Sequence, residues 1–183
     1  MHAQRIVMTI VLGALTFLEN SASAQKPVDT YRHLESGPVI VVGVNGGNAF
    51  LAYSQIVGVW TRFTFPDGVK AVPITSGGGL IAFNIEGKGI TELVAIDQKG
   101  EWCVTKLSGA TQKCTPKVSQ RVAVYFIDGM AHAFSGELGK WDSVAAPVEP
   151  VFSDNDAVLI VARESIAVFS PVTGKWAVAQ VAK

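Results

Sequence analysis

Short apolar runs alternate with turn-forming residues along most of the chain. Residues 38–44 and 157–162 are continuously apolar, which is typical of strands buried on both faces. Residues 60–65 alternate between apolar and polar side chains, as a half-buried strand does. Gly, Asn, Asp and Pro separate these runs, and such clusters mark turns. The pattern predicts an all-β fold.

One phrase occurs four times: an apolar strand, Ser or Asp, a short turn, Gly, one residue and Trp. Its copies are residues 51–60, 94–102, 131–141 and 167–176. The Ser or Asp side chain can accept a hydrogen bond from the backbone of the turn, and the Gly suits a left-handed backbone position. Each copy therefore predicts a β-hairpin with a bulged turn.

The phrase places every Trp of the chain at the start of a strand. Trp60, Trp102, Trp141 and Trp176 are 42, 39 and 35 residues apart, and repetition at this period indicates stacked supersecondary units. A single Trp could be a sugar-stacking platform. Four in register are predicted to be equivalent packing anchors, one for each repeat.

Each cycle contains four predicted strands, the second of which is the most apolar. The cycles cover approximately residues 26–66, 67–109, 110–147 and 148–183, with no linker between them. Radial repetition of four-stranded sheets describes a β-propeller, so we predict a small propeller of four repeats. A half-propeller that dimerises into eight blades is the first alternative, and a β-sandwich is the second.

Residues 169–176, with the strand 177–181 after them, resemble the end of a kelch-type propeller repeat. That family places an aromatic residue, an Asp-Pro-like turn and a small residue before Trp. Its paired glycines are matched by Gly46 and Gly47 in the first cycle. The resemblance implies kelch-like blades, and because such propellers are mostly interaction scaffolds, with some enzymes, it implies no specific activity.

The first 24 residues have the composition of a secretory signal peptide. Arg5 precedes an apolar run over residues 6–18, and residues 22–24 form a small-x-small cleavage site. The run is too short to span a bilayer comfortably. We therefore expect a secreted or periplasmic protein whose residues 25–183 form one domain, with no membrane span.

The charges are balanced, with 15 basic and 15 acidic residues. Such a surface argues against nucleic acid as a partner, because nucleic-acid binding needs a basic excess. The partners that remain are a protein or a carbohydrate, and a homodimer is possible.

The two cysteines, Cys103 and Cys114, flank the turn-forming pair Ser108–Gly109. A hairpin folded at that pair would place the cysteines opposite each other, and export would favour their oxidation. We therefore predict a structural disulfide between them.

The residues 154–156, Asp-Asn-Asp, could offer oxygen ligands to Ca²⁺ but lack the spacing of an EF-hand, so a plain turn is favoured and no metal or cofactor is predicted. His132 lies within a repeat strand, where a structural role is favoured over a catalytic one. Neither a Gly-x-Ser-x-Gly elbow nor a zinc-ligand spacing occurs in the sequence. No catalytic residue is therefore assigned.

Turns between the second and third strands of each cycle carry the remaining polar candidates, and loops at one face of a scaffold commonly bear function. The predicted ligand-binding residues are Asn45, Asn48, Glu86, Lys88, Asp128, Arg163 and Glu164. The leading interpretation is an exported, non-catalytic binding module that presents this face to a protein or glycan. The alternative is a hydrolase or lyase that uses Glu86, Asp128 or Glu164 as acid or base.

Overall fold

The computed structural model describes residues 33–44, 48–153 and 156–181. The predicted signal peptide, Asn45, the Gly46–Gly47 pair and the first two residues of the Asp-Asn-Asp stretch lie outside the described residues. The described part of the chain contains strands and turns but no helix.

The described residues form fifteen strands in four sheets, which we name A to D in chain order. Sheet A contains β1 (His33–Ser36), β2 (Val39–Val44), β3 (Ala49–Ser54) and β4 (Val59–Thr64). Sheet B contains β5 (Lys70–Ile74), β6 (Ile81–Ile96) and β7 (Trp102–Cys114). Sheet C contains β8 (Pro116–Val118), β9 (Val122–Ile127), β10 (Met130–Ser135) and β11 (Lys140–Ala145). Sheet D contains β12 (Val151–Phe152), β13 (Val158–Val161), β14 (Ser165–Ser170) and β15 (Lys175–Gln180).

Every sheet is an antiparallel meander of strands that follow one another in the chain. Sheets A, C and D have four strands, and sheet B has three. Four such sheets from four successive segments confirm the predicted all-β fold, a small β-propeller of four repeats. Across the described residues, no helix is long and apolar enough to cross a lipid bilayer.

The repeated phrase forms the turn before the last strand of each sheet. Gly58, Gly100, Gly139 and Gly174 have φ angles of 70°, 81°, 64° and 64°. In three of the four turns the glycine N–H donates to the carbonyl of the Ser that opens the turn, as Gly58 does to Ser54 at 2.8 Å. The left-handed glycines predicted from the phrase are confirmed, since other residues enter this conformation only at a cost.

Three of the four Trp residues join their own sheet to the preceding sheet. The indole Nε1–H of Trp102 donates to Thr61 Oγ1 at 2.9 Å. The indole of Trp141 donates to the Cys103 carbonyl at 3.1 Å, and that of Trp176 to the Asp142 carbonyl at 3.2 Å. Each acceptor belongs to the residue that follows the previous Trp, so the same two positions of the repeat are in contact at every junction.

Trp60 departs from the prediction that all four Trp residues are equivalent anchors. It is 56% exposed, and its one aromatic contact among the described residues is with Tyr53, at 5.1 Å between centroids. The physical reason is its position, because within the described residues no sheet precedes sheet A to receive this indole.

Two buried clusters hold the sheets together. One joins sheets A, B and C around Phe50, Phe83 and Tyr125, and the other joins sheets C and D around Val124, Ile160 and Phe169. Among the described residues no buried cluster joins sheet D to sheet A. The sheets therefore pack in the order A, B, C, D, with an unsealed junction between the last and the first.

Sheet B corrects two turn predictions. The expected turn over residues 86–89 is wrong, because β6 continues through it with irregular register between Glu86 and Glu92. The expected hairpin at Ser108–Gly109 is also wrong, because β7 runs unbroken from Trp102 to Cys114. Pairing of Glu86 with Lys113 extends both strands beyond the predicted turns, and the boundary between repeats two and three falls after Cys114 rather than after residue 109.

The predicted disulfide is wrong for the same reason. Cys103 pairs with Ala95 and Cys114 with Ile85, at opposite ends of the β6–β7 ladder. Eleven residues of extended strand span roughly 30 Å, whereas a disulfide requires Cα atoms within about 7 Å. Both thiols are free.

Candidate functional site

The structure places four of the sequence-predicted binding residues in turns between the second and third strands of their sheets, as expected, and two within a strand. Asn48 ends the β2–β3 connection and is half-buried. Asp128 lies in the β9–β10 turn, and Arg163 and Glu164 lie in the β13–β14 turn, all three exposed. Glu86 and Lys88 lie within β6.

Glu86 forms an exposed ion pair with Lys113, with 2.8 Å between Oε1 and Nζ. The hydrogen bond and charge of Lys113 lower the pKa of Glu86, with a smaller effect in the same direction from the charge of Lys70. Glu86 therefore behaves as an ionised partner of Lys113, which lies directly opposite it in the ladder.

Asp128 occupies a left-handed backbone position, with φ of 50°, in the two-residue turn before Gly129. Its charge, after the larger effect of burial, helps to raise the pKa of Cys114 to about 11. Cys114 pairs with Ile85, which is the residue before Glu86 in β6. Asp128 acts on Cys114 and therefore lies near the same end of sheet B as Glu86.

A cleft between sheets A and B contains one of the predicted residues, Lys88. Its cavity volume is about 60 Å³. Its apolar lining comes from the end of β4 and from the irregular middle of β6, and Lys88 and Glu92 supply charge. The apolar residues are Phe63, Phe65, Pro66, Val69, Ile85, Ile90 and Val94.

Two glycines shape the strand beside this cleft. A Cβ on Gly87 would lie 2.8 Å from the Gly68 carbonyl oxygen, so only glycine lets β6 pass this close to the preceding turn. Gly89 has a left-handed φ of 69°, and nothing within 4 Å would meet its Cβ. Together they interrupt the regular ladder, and such bulges re-aim side chains next to functional sites.

The two charged side chains of the cleft have different surroundings. Glu92 lies directly opposite Lys106 in the β6–β7 ladder, an arrangement in which opposite charges attract across the strands. Lys88 is exposed, and it forms no ion pair with any other described residue. The cleft therefore offers an apolar floor whose lining also carries Lys88 and Glu92, neither of which forms an ion pair with another described residue.

Aromatic packing makes the floor of the cleft rigid. The ring of Phe63 stacks on Trp102, with centroids 5.2 Å apart, and meets Phe65 edge-on at 5.0 Å. Phe65 is buried and also contacts Phe83 at 5.5 Å. Sequence reasoning missed this cleft, although two glycines inside an apolar strand are a known signal of a bulge.

His132 is a structural residue, in keeping with the expectation from its place in a repeat strand. It is 6% exposed, its Nδ1 lies 2.7 Å from Ser143 Oγ, and burial lowers its pKa. Within residues 33–44, 48–153 and 156–181, no group of three or more His, Cys, Asp or Glu side chains could hold a metal ion.

Comparison with known proteins identifies no family. No family model matches the chain, and no curated protein matches it. Among solved structures it is similar to Kluyveromyces lactis Hsv2 with complete loop 6CD, at 9% identity and a TM-score of 0.29 over 78% of this chain and 60% of that one. The form of that protein with loop 6CD replaced by a Gly-Ser linker matches at 12% identity and a TM-score of 0.24, over 84% of this chain and 68% of that one. The chain thus spans 60% of the length of the first of these structures.

Proposed function

We propose that the chain is an exported, non-catalytic binding module built from kelch-like propeller repeats, and that it presents the cleft between sheets A and B to a protein partner. The observation that carries this proposal is an apolar cleft floor with Lys88, a cation without an ion pair among the described residues, at its edge. An apolar side chain next to a carboxylate is the partner chemistry that this arrangement matches.

The size of the cleft favours a protein over a small molecule. Small-molecule sites usually enclose about 300–1,000 Å³, whereas this cavity holds about 60 Å³. That volume suits a single side chain projecting from a larger partner. A glycan is less favoured for the same reason, because a sugar ring needs a larger open surface than a cavity of this volume provides.

A hydrolase or lyase is the weaker alternative. A general acid in glycoside hydrolysis needs a carboxyl whose pKa is raised so that it carries a proton. Lys113 lowers the pKa of Glu86 instead, which suits neither a proton donor nor a strong base.

Site-specific photo-crosslinking tests the proposal. A photoreactive phenylalanine analogue at Thr91, an exposed residue of the cleft whose replacement leaves Lys88 in place, should give a discrete adduct in the exported fraction of the producing cell. The matched control is the same analogue at Lys99, an exposed lysine in the β6–β7 turn, which should give none. Equal labelling from both positions, or none from Thr91, would refute a binding role for the cleft.

Export is tested separately by the N-terminal sequence of the protein recovered outside the cytoplasm. Cleavage after the small-x-small site predicts Gln25 as its first residue. An intact Met1 in the recovered protein would contradict this part of the proposal.

A further inference from the structure

The last sheet carries an apolar face that is not part of any buried cluster of the described residues. The side chains of sheet D that point away from sheet C include Val151, Leu159, Val161, Ile166 and Val168, of which Val161 is 57% exposed and Val168 is 36% exposed. A sheet that meets water usually alternates apolar and polar residues, but this face is apolar across β12, β13 and β14.

The same positions one repeat earlier are sealed. The alignment of Trp141 with Trp176 places Ala133 of sheet C at the position of Val168 and Ala131 at that of Ile166. Both alanines are fully buried, within the cluster that sheet D completes. The outer face of sheet D is therefore built like a face that receives another sheet.

Sheet A has a face that corresponds to the one with which sheets C and D pack on their preceding sheets. Phe134 and Phe169, which pair with the Trp of their own sheets, are fully buried against the preceding sheet. Their counterpart Tyr53 is only half-buried, beside the exposed Trp60. A Cβ on Gly100 would lie 2.7 Å from Ser54 Cβ of the preceding sheet, whereas Gly58 has nothing within 4 Å.

We propose that these two faces are the halves of one interface, and that a second copy of this chain supplies the missing half. Sheet D of each copy packs on sheet A of the other, so that eight sheets close into one ring around a twofold axis. In this ring the Trp60 indole of one copy donates to the Ala177 carbonyl of the other, as Trp176 donates to Asp142 within a chain.

The repeat itself specifies the occupant. Three junctions within the chain already use the contact between a Trp and the residue after the previous Trp, and the fourth donor and acceptor remain at the two ends of the array. A twofold pair satisfies both ends at once, whereas a head-to-tail contact that does not close would give filaments. This inference goes beyond the proposed function and does not depend on it.

Molecular mass in solution tests the ring. The chain is expressed with residues 1–183, and the purified protein is measured by light scattering over a hundredfold range of concentration. The parent is expected to be a dimer at the upper end. Val168→Lys should reduce it to a monomer, and Val178→Lys should not, because Val178 is similarly exposed, at 53%, but lies on the opposite face of sheet D.

Complementation separates the reciprocal ring from other dimers. Val168→Lys places a charge in the contact face of sheet D, and Trp60→Glu places one in the contact face of sheet A. Either variant alone disrupts both junctions of its dimer and should be monomeric. An equimolar mixture retains one intact junction and should form a dimer containing one copy of each. Far-ultraviolet circular dichroism verifies folding, and Val161→Lys replaces Val168→Lys if the latter unfolds.

A parent protein that is monomeric at every concentration would overturn the proposal. Sheet D would then pack on sheet A of the same chain, or a different molecule would cover its apolar face. A dimer that is indifferent to Val168→Lys, species larger than a dimer, or a mixture that stays monomeric would overturn it equally.

Discussion

The indole N–H of Trp141 donates a hydrogen bond to the backbone carbonyl of Cys103 on the neighbouring sheet, at 3.1 Å. The ring of Trp141 also packs on Phe134 of its own sheet, with centroids 4.9 Å apart. One side chain thus fills the core between two sheets and satisfies a backbone acceptor of the preceding sheet. Trp176 repeats this arrangement, and Trp102 makes the equivalent contact to the hydroxyl of Thr61, so the sheet-to-sheet junction is a property of the repeated phrase.

The turn glycines test the same junction without removing an aromatic ring. Gly100→Ala and Gly58→Ala both place a side chain at a left-handed φ, which costs about 1 kcal/mol. Gly100→Ala also drives a methyl group against Ser54, and overpacking adds about 1–3 kcal/mol. In the monomeric chain, urea unfolding should show the larger loss for Gly100→Ala, and equal losses would mean that the contact is unimportant.

The two cysteine thiols should react slowly with a thiol reagent in the native protein. Burial, with help from Asp97 and Glu101, raises the pKa of Cys103 to about 12, and burial with Asp128 raises that of Cys114 to about 11. Since the thiolate is the reactive form, an aromatic disulfide reagent at pH 8 should react slowly with native protein and rapidly with two groups in urea. Lys99→Cys, which adds an exposed thiol, is the fast-reacting control, and unreduced protein with no reactive thiol would contradict the free cysteines.

The stability of the fold should decrease in mild acid through His132. Burial lowers the pKa of this residue in the folded chain, whereas the unfolded value is about 6.5. Below that pH the unfolded state binds more protons, so stability falls as pH falls. Between pH 7.5 and 5.5 the urea midpoint should drop more for the parent than for His132→Asn. Identical slopes would show that His132 is not held neutral.

The local parts of the fold could be predicted from the sequence because their causes are local. Gly58, Gly139 and Gly174 mark left-handed turns by their spacing from Ser and Trp, and no distant partner is needed to specify them. Four such phrases sufficed to predict four sheets in chain order.

Sheet B could not be predicted in the same way because its shape depends on distant pairing. Gly87 and Gly89 suggested a turn, but the pairing of Glu86 with Lys113 carries β6 through that stretch. Position 87 requires glycine for a different reason, because the Gly68 carbonyl oxygen lies too close to leave room for a Cβ. The cleft that contains Lys88 lies beside the irregular part of the β6–β7 ladder. Predicting a turn over residues 86–89 therefore also concealed the cleft.

The exposure of Trp60 also has a non-local cause. Its phrase is the same as the others, and only the absence of a preceding sheet among the described residues distinguishes it. Local sequence specifies what each Trp can contact, whereas the position of its sheet in the array decides whether that contact exists within the chain.

Urea unfolding of the four single Trp→Ala variants tests the central claim, that three Trp residues seal consecutive sheets, most directly. Measured where the chain is monomeric, Trp102→Ala, Trp141→Ala and Trp176→Ala should each lose about 3 kcal/mol or more, as is usual for a packed Trp. Trp60→Ala should lose less than about 1 kcal/mol, as exposed positions usually do. A loss at Trp60 equal to the other three, or four losses all within about 0.5 kcal/mol of the parent, would contradict the account.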